Sequence, residues 1–368
     1  MDKLSVGILC GGKSAEHEVS LQSARNIFEA MDRERFDPVL VGIDKTGKWI
    51  YSNGMGVEDF ILNADDPARI RLNPAGAEAV LPPKSEGLLI SGLDGGPRKS
   101  IRLDVIFPIL HGPFGEDGTV QGLLKLAEVP FVGPGVLGSA AGMDKDVMKR
   151  LLRDGGVPIG KFLVVREGER LPSFAEVTAQ LGNPVFVKPA NMGSSVGVSK
   201  AGDETAYRTA LNDAFKYDTK LILEENIPGR ELECSVLGNE KPQASLPGEV
   251  RAARDFYSYE AKYIDSNGAA LEIPARLPET KIKEIQALAV KTFQVLECQG
   301  LSRVDFFMKA DGTVLVNEIN TMPGFTKISM YPKLWEASGV SYTALITRLI
   351  ELALERFGKE KNLKTTYG

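Results

Sequence analysis

Apolar positions fall first into strand-length runs, then into helical spacings, and their order sketches the architecture. Residues 4–10 form a mainly apolar run of strand length that ends in Gly11-Gly12; Ala24, Ile27, Phe28 and Met31 follow at helical spacing, and residues 39–43 form a second run. Two buried strands joined by a helix make a βαβ start, which predicts a parallel sheet. The segment 52–100, rich in Pro, Gly and Asp, predicts hairpins and loops decorating this first domain. Residues 105–110 read as another buried strand, and Asp117 or Thr119 is placed to cap a helix carrying Leu123, Leu124 and Leu126. The Gly-rich stretch 132–142 closes the first unit.

The pattern then changes. A charged helix at 144–152 precedes short strands at 161–165, 184–188, 221–225 and 231–237, with a Gly and Ser loop after 188, and this reads as antiparallel. The last third carries an amphipathic helix at 281–296, a hairpin at 302–320 and a closing helix with Leu345, Leu349 and Leu352 on one face. At 368 residues the chain suits two or three cores. We place them at 1–138, 139–225 and 226–368, α/β first and α+β after.

A formal net charge of -5 provides no basic stripe to track a phosphate backbone, so no nucleic-acid partner is expected. No apolar run approaches the roughly 20 residues that span a bilayer, so no membrane association is expected either. The opening apolar run leads into glycines and charges, unlike a secretory signal, which makes the cytoplasm the expected address. Three scattered cysteines and two histidines support neither a disulfide framework nor a thiolate zinc site. Any metal must be held by oxygen.

The strongest local chemistry lies in the last hairpin. An Asp311-Gly312 turn between apolar strands predicts a tight two-residue connection that pairs Ala310 with Thr313. Counting back sets Asp305 opposite Glu318 and Arg303 opposite Asn320, all four on one sheet face. Like charges directly opposed destabilise a sheet. A hard divalent cation such as Mg²⁺, held by Asp, Glu and Asn oxygens, offsets that repulsion. The alternative is a solvated face on which Arg303 neutralises one acid.

A second constellation follows Lys188, which ends a strand and opens a loop containing Gly193, Ser194, Ser195 and Gly197. Amides and hydroxyls turned inward there make a concavity for phosphate oxygens; a plain hairpin connection is the competing reading. The loop lacks the Gly-Lys-Ser/Thr and helix of a P-loop, and Gly11-Gly12 lacks the spacing of a dinucleotide site. Glu224 and Glu231 flank a Pro228-Gly229 turn, where they are placed either to meet ribose hydroxyls and an adenine amine or simply to be solvated.

Taken together, these segments closely resemble the D-alanine:D-alanine ligases of the ATP-grasp superfamily. The matching stretches are Gly11 to Ser20, His111 to Gly118, Met143-Asp144-Lys145, the loop after Lys188, Glu260-Ala261-Lys262-Tyr263 and Asn317 to Thr326, in family order across nearly the whole chain. The resemblance implies an ATP-grasp fold: an N-terminal parallel-sheet domain followed by two subdomains that sandwich ATP between mostly antiparallel sheets. It also implies ligation of two D-alanines for peptidoglycan precursor synthesis through a D-alanyl phosphate, in a homodimer.

Carried over residue by residue, the family pattern has Glu16 receive the ammonium of the first D-alanine, with His111 near its carboxylate. Lys145, Lys188 and Ser195 hold ATP phosphates; Glu224, the backbone at Glu225 and Ile227, and Glu231 surround adenine and ribose. Asp305, Glu318 and Asn320 match the ligands of two Mg²⁺ ions, with Mn²⁺ as a substitute. Arg303 and the Gly324 amide match stabilisers of the tetrahedral intermediate, and Ser329 and Met330 border the second substrate. Ser194 and Tyr263 close a lid against Glu16, and Lys262 reaches the phosphate. Relatives that use D-lactate differ in this lid, where Lys262-Tyr263 favours D-alanine; another carboxylate-amine ligation is the alternative. Met192 departs from the polar residue that many relatives carry.

Overall fold

The computed structural model describes residues 3–85, 87–90, 99–252, 269–364 and 367. Its first sheet has seven strands, in the order Lys99–Arg102, Gly87–Ile90, Ala77–Val80, Trp49–Tyr51, Phe36–Ile43, Leu4–Gly11, Val105–Pro108. Leu4–Gly11 pairs in parallel with both Phe36–Ile43 and Val105–Pro108, and from Val6 on it is buried, as suits a strand covered on both faces. The 77–102 hairpins are present, but they extend this sheet as an antiparallel flank.

One face of the sheet shares its core with the C-terminal part of the chain: Val6, Ile8 and Phe107 lie in one cluster with Phe325, Tyr331, Trp335, Leu345 and Leu349. The closing helix Tyr342–Lys361 thereby packs its apolar face onto the first sheet, and Arg356 donates to the carbonyls of Phe131 (2.8 Å) and Gly133 (2.5 Å).

One helix was not anticipated from the sequence, and the cap of another needs correction. The Gly-rich stretch is largely helical: Val136–Met143 forms a helix that leads directly into the helix Lys145–Asp154. Its glycines serve close packing, since a Cβ on Gly138 would stand 2.8 Å from the Glu297 carbonyl and one on Gly142 2.6 Å from Thr321. The helix Thr119–Leu126 starts from Gly118, whose left-handed φ of 93° suits glycine, while Asp117 sits one residue earlier and accepts from the amides of Phe114 and Thr119.

The second sheet, in the order Phe162–Arg166, Lys220–Glu225, Val185–Pro189, Ser199–Ala201, is antiparallel. Val185, Val187, Leu221 and Leu223 point at the helices Phe174–Leu181 and Glu204–Ala214, so period-two alternation turns Phe186, Lys188 and Glu224 to the other face. The third sheet repeats this logic. Leu232, Cys234, Val304 and Phe306 pack beneath the helix Glu279–Val295, which leaves Glu231, Glu233, Arg303 and Asp305 on the opposite face.

Candidate active site

The polar faces of the second and third sheets border one cleft of about 1440 Å³, which the N-terminal unit reaches with Glu16, His111 and Glu116. Lys145, Lys188, Ser194, Ser195, Glu224, Glu225, Ile227, Glu231, Arg303, Glu318, Asn320, Gly324, Ser329 and Met330 also line it. Lys262 and Tyr263, expected in the lid, lie outside the described residues, as do all of residues 253–268.

The last hairpin delivers the predicted register by a different route. Met308 pairs with Val314, so the turn spans five residues, 309–313, and the ladder begins one residue out of the expected step. A bulge at Asn317 restores it, and Asp305 faces Glu318 while Arg303 faces Asn320. Arg303 forms a two-bonded pair with Asp305, at 2.7 and 2.8 Å, and its Nε lies 2.8 Å from Glu233. Asn320 donates to Asp305 Oδ2 at 2.9 Å. Asp305 is thus covered by Arg303 and Asn320 and does not itself line the cleft.

At one end of the cleft, in the loop after Lys188, Ser194 and Ser195 have φ of 51° and 60°, followed by Gly197 at 70°. Left-handed residues in such a run turn amides toward one concavity, and holding two serines there stores backbone strain typical of ligand loops. Lys145, first residue of its helix after the capping Asp144, donates to the Met192 carbonyl at 2.8 Å and lies 3.6 Å from Glu318.

At the other end, Glu224 is buried between Lys149 at 2.6 Å and Lys188 at 2.5 Å. Burial opposes its charge, but the two ammoniums overcome this and hold the carboxyl well below the usual range. Burial likewise works against the Lys188 ammonium, which Glu224 and Glu318 raise above its ordinary value. Glu225 Oε1 accepts from the Lys161 amide at 2.8 Å, and its own amide bonds to the Lys161 carbonyl at 3.2 Å.

Glu16, His111, Ser329 and Met330 line the same cleft. Ser194 Oγ donates to Glu16 Oε1, tying the loop to the start of the helix His17–Ala30; the Glu16 carboxylate makes no capping bond. His111 is buried and its pKa is lowered by that burial, with Glu16 pulling the other way. Its Nδ1 lies 2.9 Å from the Met322 carbonyl and must donate, which leaves Nε2, 3.5 Å from Ser23 Oγ, as an acceptor. Ser329 Oγ accepts from the Thr326 amide at 3.0 Å, and Met330 packs with Val250 and Leu334.

Among the cleft residues that escaped the sequence reading are Glu116, Lys149 and Glu233. Glu116 lay inside a matched segment and accepts from the amides of Gly112 (2.8 Å) and Met322 (3.3 Å). Burial and then the Glu16 carboxylate push it up to about 8. Lys149 follows Lys145 by one helical turn and Glu233 follows Glu231 by one strand period, and these spacings were the available signals.

Among the described residues no group of three or more His, Cys, Asp or Glu is disposed to hold a metal, and no helix is long and apolar enough to cross a membrane. The sequence matches the family descriptions D-ala D-ala ligase N-terminus over residues 5–134 and D-ala D-ala ligase C-terminus over 151–351. A D-alanine--D-alanine ligase A of Salmonella typhimurium is 55% identical over 368 residues, all of both chains. Among solved structures, the D-alanine-D-alanine ligase of Coxiella burnetii is 36% identical with a TM-score of 0.83, covering 98% of this chain and 97% of its own. A D-Ala:D-Ser ligase of Enterococcus faecalis is 33% identical with a TM-score of 0.84, covering 96% and 100%.

Proposed function

The chain belongs to the D-alanine–D-alanine ligase family, and we propose from that premise how its residues join two D-alanines into the dipeptide for peptidoglycan synthesis, converting ATP to ADP and phosphate. The observation that carries the assignment of roles is Lys145. Its ammonium touches both the Gly and Ser loop, at Met192, and the acid hairpin, at Glu318, so the two halves of a phosphate site meet at one cation.

A free carboxylate resists attack by an amine because oxide is a poor leaving group. Phosphorylation by ATP makes an acyl phosphate, which loses phosphate instead. Lys145 and Lys188 supply fixed positive charge where the transferred group spreads negative charge over its oxygens, and the loop amides around Ser194 and Ser195 orient it. Glu224, Ile227 and Glu231 form the adenine and ribose end. Glu16, fixed by Ser194, receives the ammonium of the first D-alanine, and His111 stands as a neutral ring near its carboxylate. Arg303 and the Gly324 amide face the oxyanion formed when the second amine, in its neutral form, attacks; Ser329 and Met330 border the carboxylate of that second molecule. Excluding water from the acyl phosphate, the role expected of Lys262 and Tyr263, falls to residues outside those described.

Asp305, Glu318 and Asn320 would hold Mg²⁺, two ions with Mn²⁺ as a substitute. The hard oxygen donors suit it, and the opposed acids in register give a reason for it. When bound, the metal neutralises phosphate oxygens. Arg303 pairs with Asp305 and already lies 2.8 Å from Glu233, so the guanidinium would keep a carboxylate partner where Asp305 held the ion. Because ATP is made there, we place the reaction in the cytoplasm. Exposed Leu126, Val136 and Leu137 on two contacting helices suit a homodimer face, to be checked by light scattering with Leu137→Glu.

ADP release measured with D-alanine, L-alanine, D-serine and D-lactate at two pH values tests the reading. Release is expected with D-alanine as the preferred acceptor and absent with L-alanine; equal release without any amino acid would contradict it.

A further inference from the structure

Glu224 has two ammonium partners, and only one of them belongs to the phosphate end. Lys188 is drawn by Glu318 as well as by Glu224, so it sits between the acid hairpin and the base end of the cleft. Lys149 is different. It is 2% exposed, it lies one helical turn beyond Lys145, and it contacts Glu224 Oε1 at 2.6 Å beside the ring of Phe162, 6.0 Å from its Nζ. Phe162 and Phe186 both pair with Glu224 across the ladder, which places the carboxylate between two aromatic rungs, of which Phe186 lines the cleft. One helix thus carries a lysine for each end of the nucleotide, at i and i+4.

An incoming triphosphate competes with Glu224 for Lys188. A buried carboxylate that lost its counter-charge would take up a proton or turn away. Lys149 prevents this, because it stays with Glu224 when Lys188 moves to the phosphates. We propose that Lys149 is a positioning residue for base selection: it keeps Glu224 ionised and aimed at the base, so that the carboxylate accepts from a 6-amino purine and repels a 6-oxo purine. This rests on the assignment of Glu224 to the adenine end made above.

The test is calorimetric binding of ATP and of ITP, whose base carries an oxygen in place of the amine, to the full chain without D-alanine, together with KM and kcat for both nucleotides at saturating D-alanine. Wild type is expected to favour ATP by at least about tenfold, the scale of a hydrogen bond to a charged group. Lys149→Met should weaken ATP about tenfold, bring the ATP to ITP ratio near one and raise KM for ATP far more than it lowers kcat. Lys149→Arg should restore the ratio. Lys188→Met should weaken both nucleotides and leave the ratio in place. Should Lys149→Met fail to fold, Lys149→Gln, which keeps a donor but no charge, carries the same comparison. A wild-type ratio in the neutral variants would overturn the proposal and make the pair purely structural. A wild type without ATP preference would instead overturn the Glu224 assignment.

Discussion

Asp305 lies directly opposite Glu318, although the turn that joins their strands has five residues and, left uncorrected, would have shifted the pairing by one. The bulge at Asn317 absorbs the difference. Two acids are therefore set side by side by a local irregularity, and Arg303 and Lys145 compensate them from opposite sides.

Glu318→Gln should lower kcat by about a hundredfold or more, the usual scale for losing one metal or electrostatic contact at such a site. Melting temperature should stay level or rise, since a like-charge pair is relieved. Steady-state kinetics and thermal melts on the same preparation check both. Retained turnover with unchanged magnesium dependence would reject the metal role.

Gly324→Ala isolates the second-substrate end. A Cβ there would stand 2.9 Å from Ser329 Oγ and must displace that hydroxyl from the Thr326 amide. KM for the second D-alanine is expected to rise by about tenfold, equivalent to one lost hydrogen bond of about 1.4 kcal/mol, with KM for ATP unchanged. Initial rates with D-alanine varied at saturating ATP measure it.

Glu116 gives stability a pH dependence. Its folded value of about 8 lies above the ordinary 4.5, so the folded state holds its proton more tightly. That contribution is fully present below the ordinary value and is lost as pH rises toward about 8. Glu116→Gln should flatten the decline in unfolding free energy across that window, a slope of at most about 1.4 kcal/mol per pH unit for one proton. Denaturant melts between pH 5 and 9 supply the comparison.

Period-two alternation made much of this legible. Lys188, Glu224, Glu231, Arg303 and Asp305 could be assigned to polar faces because Val187, Leu223, Leu232 and Val304 between them are buried. The helix through the glycines at 136–143 was hidden, because glycine signals a turn unless close packing against Thr321 and Glu297 is known. The bulge was hidden too, since Asp311-Gly312 favours a shorter turn and only the finished ladder shows the compensation at Asn317. Lys149 was missed for another reason: a lysine on a charged helix reads as solvated until its buried partner appears from a strand far along the chain.

Ligation by this chain rests on phosphorylation of the first D-alanine's carboxylate. D-Alanine labelled with ¹⁸O in both carboxylate oxygens tests it most directly, with mass spectrometry of the phosphate released during ligation. One labelled oxygen per phosphate is the predicted result, because the acyl phosphate bridge leaves with the phosphoryl group. Dipeptide formed with wholly unlabelled phosphate would contradict the account.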